Sequence, residues 1–336
     1  MSPGEPAAGD GRPRTVLMCP GQGAYLPGAL RHLREVPAVA EVLTAADAAA
    51  AGRGDAAAPV GALLTEEGAP GPEELLRADP LGFDLATYAA AVAAATLLLG
   101  LARHTGTRVD AVLGHSVGDL AALTAAGVLT VRQGVRLLRV RDRLLRTAGL
   151  PAAGMLATDL TADRAAELLR ASGLSEVRIA AHNAPAQVVL AGPAAPLDRA
   201  RRAVLDSGHR ATPLTSRTAY HHPLLTDVHR AFRALLRGQP LRPPTLAVHT
   251  AAGRPARTPA QLRTAAAAHL TEPLAFPRAL HALHRAGFTT YLDGGPRALL
   301  GALAKATLPG CAVAAPLRTA AGTDRVRARL AAVTAG

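Results

Sequence analysis

The stretch Val112-Leu113-Gly114-His115-Ser116-Val117-Gly118-Asp119-Leu120 carries the pattern G-x-S-x-G. A mostly apolar run, Val109 to Leu113, precedes it, and helix formers follow from Leu120 to Ala126. The spacing predicts a strand, a sharp turn and a helix. A serine on such a turn is lifted out of the sheet, and its Oγ lies near the N-terminus of the next helix. Backbone N–H groups there can hold an oxyanion. This is the arrangement a serine acyl-enzyme needs. The alternative is a glycine-flanked loop serine with no chemistry; the strand before and the helix after favour the nucleophile.

Composition sets the outer bounds. The 336 residues suffice for one large domain, or a large one carrying a smaller insert. Apolar residues make up 49% and aromatics only 2%, so Ala, Leu and Val must build the core. Lys+Arg is 37 against Asp+Glu 25, a net charge of +12, and Lys305 is the sole lysine. A basic surface invites acidic partners. Nucleic acid is not expected: zinc-finger spacing is absent and few aromatics could stack on bases. Cys19 and Cys311 are far apart in sequence and read as buried thiols of a reducing cytoplasm. Residues 1–13 lack the apolar core of a signal peptide and read as a disordered tail. The apolar run Ala89 to Leu101 is short for a membrane span and reads as a buried helix.

Along the chain, short strands alternate with longer helices. Thr15 to Cys19 reads as a strand ending at Pro20-Gly21-Gln22-Gly23, with a helix from Leu30. Thr87 to His104 and Val131 to Arg146 read as helices flanking the Ser116 unit. This alternation predicts a parallel α/β core. The order then changes to β-α-β-β-α-β between about Leu150 and Ser216, the ferredoxin-like signature, with Thr161 as a helix N-cap. The core resumes afterwards, with a last strand Thr289 to Leu292 ending at Asp293-Gly294-Gly295-Pro296. The expected organisation is a tail over residues 1–13, a core over 14–148 and 216–320, a small subdomain over 149–215, and a helix or tail over 321–336.

Twelve histidines compete to serve Ser116 as base. His115 is adjacent, but its side chain should point away across the turn. His221 and His222 follow a strand-like segment. His281 and His284 could form half a metal site, but no third ligand accompanies them, and a helix surface explains them better. An ordinary α/β-hydrolase places an acid and then a His late in the chain, and no such succession stands out.

Four motifs in order resemble malonyl-CoA:acyl-carrier-protein transacylases and the acyltransferase domains of polyketide synthases. Pro20-Gly21-Gln22-Gly23 resembles the family's G-Q-G loop, and Gly114 to Asp119 its G-H-S-x-G-E turn. Val140-Arg141 falls where the family has its carboxylate-binding Arg, and Tyr220-His221-His222-Pro223-Leu224-Leu225 resembles its F-H-S-P-L-M segment. Weaker echoes are Asn183 to Val189 and Asp293 to Pro296. The resemblance implies an α/β, hydrolase-like parallel-sheet core with an inserted ferredoxin-like subdomain.

It also implies roles. Ser116 would be the nucleophile and His221 the base, oriented by a backbone carbonyl. Matching His269-Leu270-Thr271-Glu272-Pro273 to the family's Q-L-x-N-P assigns that carbonyl to His269, with Glu272 close by. The oxyanion hole would be the N–H groups of Gln22 and Val117, with Gly21 and Gly23 allowing close backbone approach. His115 and Tyr220 would line the substrate site. Arg141 would hold the free carboxylate of a malonyl-type group by a two-pronged hydrogen bond. From helix periodicity alone Arg141 cannot be told from Arg139, Arg143 and Arg146. The implied activity is that of a discrete acyltransferase in polyketide or fatty-acid biosynthesis, antibiotic biosynthesis included. It would carry malonyl or a related acyl group from CoA through an acyl-serine to the phosphopantetheine thiol of an acidic acyl carrier protein. No bound cofactor or metal, no membrane and a cytoplasmic setting go with it. Rival expectations are another starter group, an editing thioesterase using the same site, or a non-catalytic carrier-binding module. Departures from the family are Asp119 for Glu, which should cap or pair locally, His222 for Ser, Tyr220 for Phe and Leu225 for Met. The Gln common ahead of the family's long helix is not evident here; Asp84 to Thr87 stand near that place. The ring of Tyr220 beside the base should crowd an α-methyl branch and favour malonyl over methylmalonyl.

Overall fold

The computed structural model describes residues 14–318, apart from 53–56 and 254, and residues 322–334. The tail expected over 1–13 lies outside the described residues. Eleven strands are present among them: β1 Arg14–Cys19, β2 Val109–Gly114, β3 Ala153–Thr158, β4 Arg178–Ala184, β5 Gln187–Pro193, β6 Ala211–Pro213, β7 Ala247–Thr250, β8 Pro255–Ala256, β9 Leu274–Ala275, β10 Phe288–Asp293 and β11 Ala312–Ala314.

The larger sheet has the order β11-β10-β1-β2-β7-β8. Its first five members are parallel and only β8 is antiparallel. Val16, Leu17 and Met18 of β1 and Ala111, Val112 and Leu113 of β2 are fully buried. A sheet covered on both faces gives continuous apolar runs of this kind rather than alternation. The chain leaves β1 toward β2 and β7 and later returns to β10 on the other flank. The loops after β1, β2 and β10 therefore meet at the carboxyl ends of the central strands, where open α/β sheets bind ligands.

One face carries the long helix Pro80–His104, which is buried almost all round. It is long and apolar enough to cross a membrane by composition, yet it is packed inside the protein. Small side chains at Ala89 to Ala91 and Ala93 to Ala95 let neighbouring elements approach closely. The helix Val131–Thr147, started by a Thr130–Gln133 capping box, crosses it so closely that a Cβ at Gly134 would strike the Tyr88 ring. The same packing sets Asp84 against Arg141 further along the two helices.

The smaller sheet has the order β6-β3-β5-β4-β9. Its first four strands, with helices Ala162–Ala171 and Ala194–Asp206, form the ferredoxin-like arrangement. Thr161 caps the first of these helices by accepting from the Arg164 N–H. The sheet is not closed by the insert alone. Strand β9, from the later part of the core, pairs parallel with β4 and joins the two units. Another difference from expectation lies near the N-terminus. The helix expected from Leu30 begins at Pro37, because Gly28 takes a left-handed turn (φ 62) and a short 3-10 turn follows before Pro37 can start the helix.

Candidate active site

Ser116 sits between β2 and the helix Gly118–Ala125 with φ 60. A left-handed backbone is unusual for a residue with a side chain and stores of order 1 kcal/mol of strain. The turn is fixed from both sides: His115 N–H donates to the Cys19 carbonyl at 3.0 Å and Asp119 N–H to the Ser116 carbonyl at 3.0 Å. A Cβ at Gly118 would collide with the Cys19 carbonyl, so glycine is required for the turn to press on β1.

His221 also has a left-handed backbone, φ 59, and is 3% exposed. The Ser116 hydroxyl donates to its Nε2 at 2.8 Å. Its Nδ1 lies 2.6 Å from the Glu272 carbonyl. A carbonyl can only accept, so the proton is on Nδ1 and Nε2 is the free lone pair. The orienting carbonyl is thus that of Glu272, not His269. The helix Pro259–Thr271 ends just before Glu272, which is extended (φ −80, ψ 124) ahead of Pro273. Its carbonyl is thereby released from the helix ladder and can face His221. His269 is buried on the helix, and neither of its ring nitrogens has a hydrogen-bond partner. His222 is occupied elsewhere, its Nδ1 accepting from Leu224 N–H at 3.1 Å and its Nε2 donating to the Glu176 carbonyl at 3.0 Å.

Burial pushes the His221 imidazole down from 6.5 to about 4, the Glu272 carbonyl opposing this in part. His115 and His269 are lowered by burial too. The sign has two consequences. His221 stays an unprotonated base below the ordinary imidazole range, so the acylation rate should hold its plateau at pH 6 and drop only toward pH 4–5. The unfolded chain takes up protons below about 6.5 that the folded chain refuses, so stability should fall as pH drops from about 6.5 toward 4. A rate profile and thermal melts over that range check both; a rate half-lost near pH 6.5 contradicts the burial argument.

A cavity of about 500 Å³ opens over the pair. Gly21, Gln22, Gly23, His115 and Tyr220 line it with Ser116 and His221. Its other walls are mostly apolar: Phe83, Met155, Val189, Leu214, Leu274, Leu299, Leu300 and Leu303. Gly21 is pressed against Ser116: a Cβ there would lie 2.7 Å from the His115 carbonyl and 3.2 Å from Ser116 Cβ. Among the described residues no acceptor takes the backbone N–H of Gln22 or Val117. His115 does point away from the serine hydroxyl: its Nε2 meets Asn183 Oδ1 at 2.9 Å, and its ring packs edge-on against Phe276 at 5.3 Å. Asn183 was visible in the sequence only as a weak echo. It ties the small sheet to the Ser116 turn. Asp293 accepts from Gly295 N–H at 2.8 Å and Gly301 N–H at 2.7 Å, anchoring the loop that brings Arg297 and Leu299 to the cavity.

Two expected partners differ. Neither carboxyl oxygen of Asp119 has a hydrogen-bond partner, and burial raises this carboxyl well above the usual range. The expected local cap or ion pair is not made by this carboxyl. Arg141 is 1% exposed and forms an ion pair with Asp84 at 2.5 Å. Its guanidinium carbon lies 5.6 Å from the centre of the Tyr220 ring. Tyr220 lines the cavity and Arg141 does not. The guanidinium on which the resemblance relies is met by a carboxylate of the chain itself. Breaking such a buried pair from one side costs about 3–5 kcal/mol. Burial separates Arg141 from Arg139, whose guanidinium reaches the Ala49 carbonyl at 2.9 Å, and from the exposed Arg146.

Ser116 with its left-handed backbone, the imidazole held by a carbonyl and the glycine-lined cavity stand together at the carboxyl ends of the central strands. The chain belongs to the acyl transferase domain family, whose profile matches residues 18–325. It is 32% identical over 301 residues to the polyketide synthase GfsA of Streptomyces halstedii, covering 88% of this chain and 4% of that protein's length. The chain thus spans a small fraction of the curated synthases it matches. Its structure is similar to that of the malonyl-CoA:acyl carrier protein transacylase from Xanthomonas oryzae, 27% identical with TM-score 0.77, covering 89% of this chain and 93% of that one. A malonyl-transacylase solved with its type II polyketide synthase acyl-carrier protein matches in fold, at 23% identity and TM-score 0.80, covering 95% of this chain and 99% of that one.

Proposed function

We propose that the protein moves an acyl group from coenzyme A to the phosphopantetheine thiol of an acyl carrier protein through an ester on Ser116. The observation that carries this reading is the 2.8 Å contact from Ser116 Oγ to an imidazole whose other nitrogen is held by a carbonyl. The Ser116 proton passes to His221 Nε2 as Oγ attacks the thioester carbonyl. The N–H groups of Gln22 and Val117 receive the oxyanion; one such donor is worth about 2.7–4 kcal/mol in other serine enzymes. The C–S bond breaks and the departing thiolate takes the proton from Nε2. A carrier thiol then gives its proton to Nε2, attacks the ester, and Ser116 Oγ leaves with that proton. A carbonyl behind the histidine suffices because the imidazolium is short-lived and needs orientation more than a counter-charge. The sequence of steps calls for no metal or redox group.

The net charge of +12 suits an acidic carrier. Cys19 lies buried with its thiol raised to about 12 by burial and by Asp119 and Asp293, consistent with a reducing cytoplasm. Steady-state rates measured against acyl-CoA at several carrier concentrations should give parallel double-reciprocal lines, the mark of an acyl-enzyme. Intersecting lines would mean direct transfer in a ternary complex and would remove Ser116 from the covalent role.

A further inference from the structure

We infer that Asp84 sets the acyl preference of this site by holding Arg141 in a buried ion pair, so that the enzyme takes uncharged acyl groups in preference to carboxylated ones such as malonyl. The inference rests on the acyl-transfer reading and names its substrate class.

The charge of Arg141 is taken up by Asp84, although its Nε has no hydrogen-bond partner among the described residues. Arg141 and Asp84 are 1% and 0% exposed at their side chains, on two helices locked together at Gly134 and Tyr88. A malonyl carboxylate reaching Arg141 would have to pass Tyr220 and either evict Asp84 into apolar surroundings or sit as a second anion on one guanidinium. Both are unfavourable where water is excluded, because an unpaired buried charge keeps its full desolvation cost. The charge of Arg141 is already met by Asp84 without substrate.

The cavity points the same way. Among the lining residues the only guanidinium is that of Arg297, which is exposed to solvent and screened there. The cavity walls include Phe83, Met155, Leu274 and Leu300, side chains that favour a short saturated chain over an ionised group. Phe83 lies next to Asp84 in the long helix, so the same turn supplies an apolar wall to the cavity and the carboxylate that occupies Arg141.

A competition decides it. Wild type and the variants Asp84→Asn and Asp84→Gln are each mixed with equal amounts of acetyl-, butyryl- and malonyl-CoA, and the adduct masses on the Ser116 peptide are read at early times. Wild type should carry acetyl or butyryl over malonyl by about tenfold or more. Asp84→Asn and Asp84→Gln remove the anion and leave Arg141 with a free charge. In them the malonyl share should rise about tenfold or more. A malonyl-dominated wild type overturns the inference while leaving acyl transfer intact. So do folded variants, checked by thermal melt, whose ratio equals that of wild type. If neither variant folds, the wild-type ratio alone decides. Absence of any adduct overturns the acyl-transfer reading itself.

Discussion

Replacement of Ser116 by alanine should lower acyl transfer by about 10⁵–10⁶-fold, the range seen when a serine nucleophile is removed from a unit that acts together. The expectation comes from geometry rather than from the motif alone. The hydroxyl is 2.8 Å from His221 Nε2, and the residue is held at φ 60 by bonds on both sides. Alanine keeps the backbone and the small Cβ against Gly21, so thermal melts should shift little. The rate of label transfer from acyl-CoA to carrier, followed at high enzyme concentration, checks the magnitude. A loss below about a hundredfold would mean that another group accepts the acyl chain.

The second large effect separates two adjacent histidines. His221→Ala should reduce acylation by about 10⁴-fold or more, because the serine then loses the imidazole that accepts its hydrogen bond. His222→Ala should change the rate by less than about tenfold. Its cost should appear in stability, about 1–3 kcal/mol, since Leu224 N–H and the Glu176 carbonyl would both lose a buried partner. Single-turnover acylation and denaturant melts of the two variants make the comparison. The reverse pattern, activity lost with His222 and stability lost with His221, would overturn the assignment of the base.

Much of this site was legible in the sequence because it is local. The turn at Ser116 is written in six consecutive residues, and the flanking strand and helix follow from apolar runs of the right length. The β-α-β-β-α-β order of the small unit was likewise readable from alternation and turn residues. What escaped depends on contacts between distant segments. Strand β9 is two residues long, too short for any pattern, and pairs with β4 only because the whole core delivers it there. The carbonyl that orients His221 belongs to Glu272, three residues from the expected His269, because the end of a helix decides which carbonyl is free. Arg141 could be chosen among the arginines of its helix only by resemblance, yet what it does depends on Asp84 from another helix. Asp84 stood out in the sequence only as part of a segment lacking a familiar Gln. Its meaning required the antiparallel packing that sets the two side chains together in a dry interior.

The most direct test of the central claim is the mass of the proteolytic peptide containing Ser116, taken after brief exposure to acyl-CoA and again after addition of a phosphopantetheinylated carrier. One acyl group should be found on Ser116 in the first sample, should be gone in the second, and should reappear on the carrier thiol. An unmodified Ser116 under conditions of turnover, or an acyl group fixed on another residue, would contradict that claim.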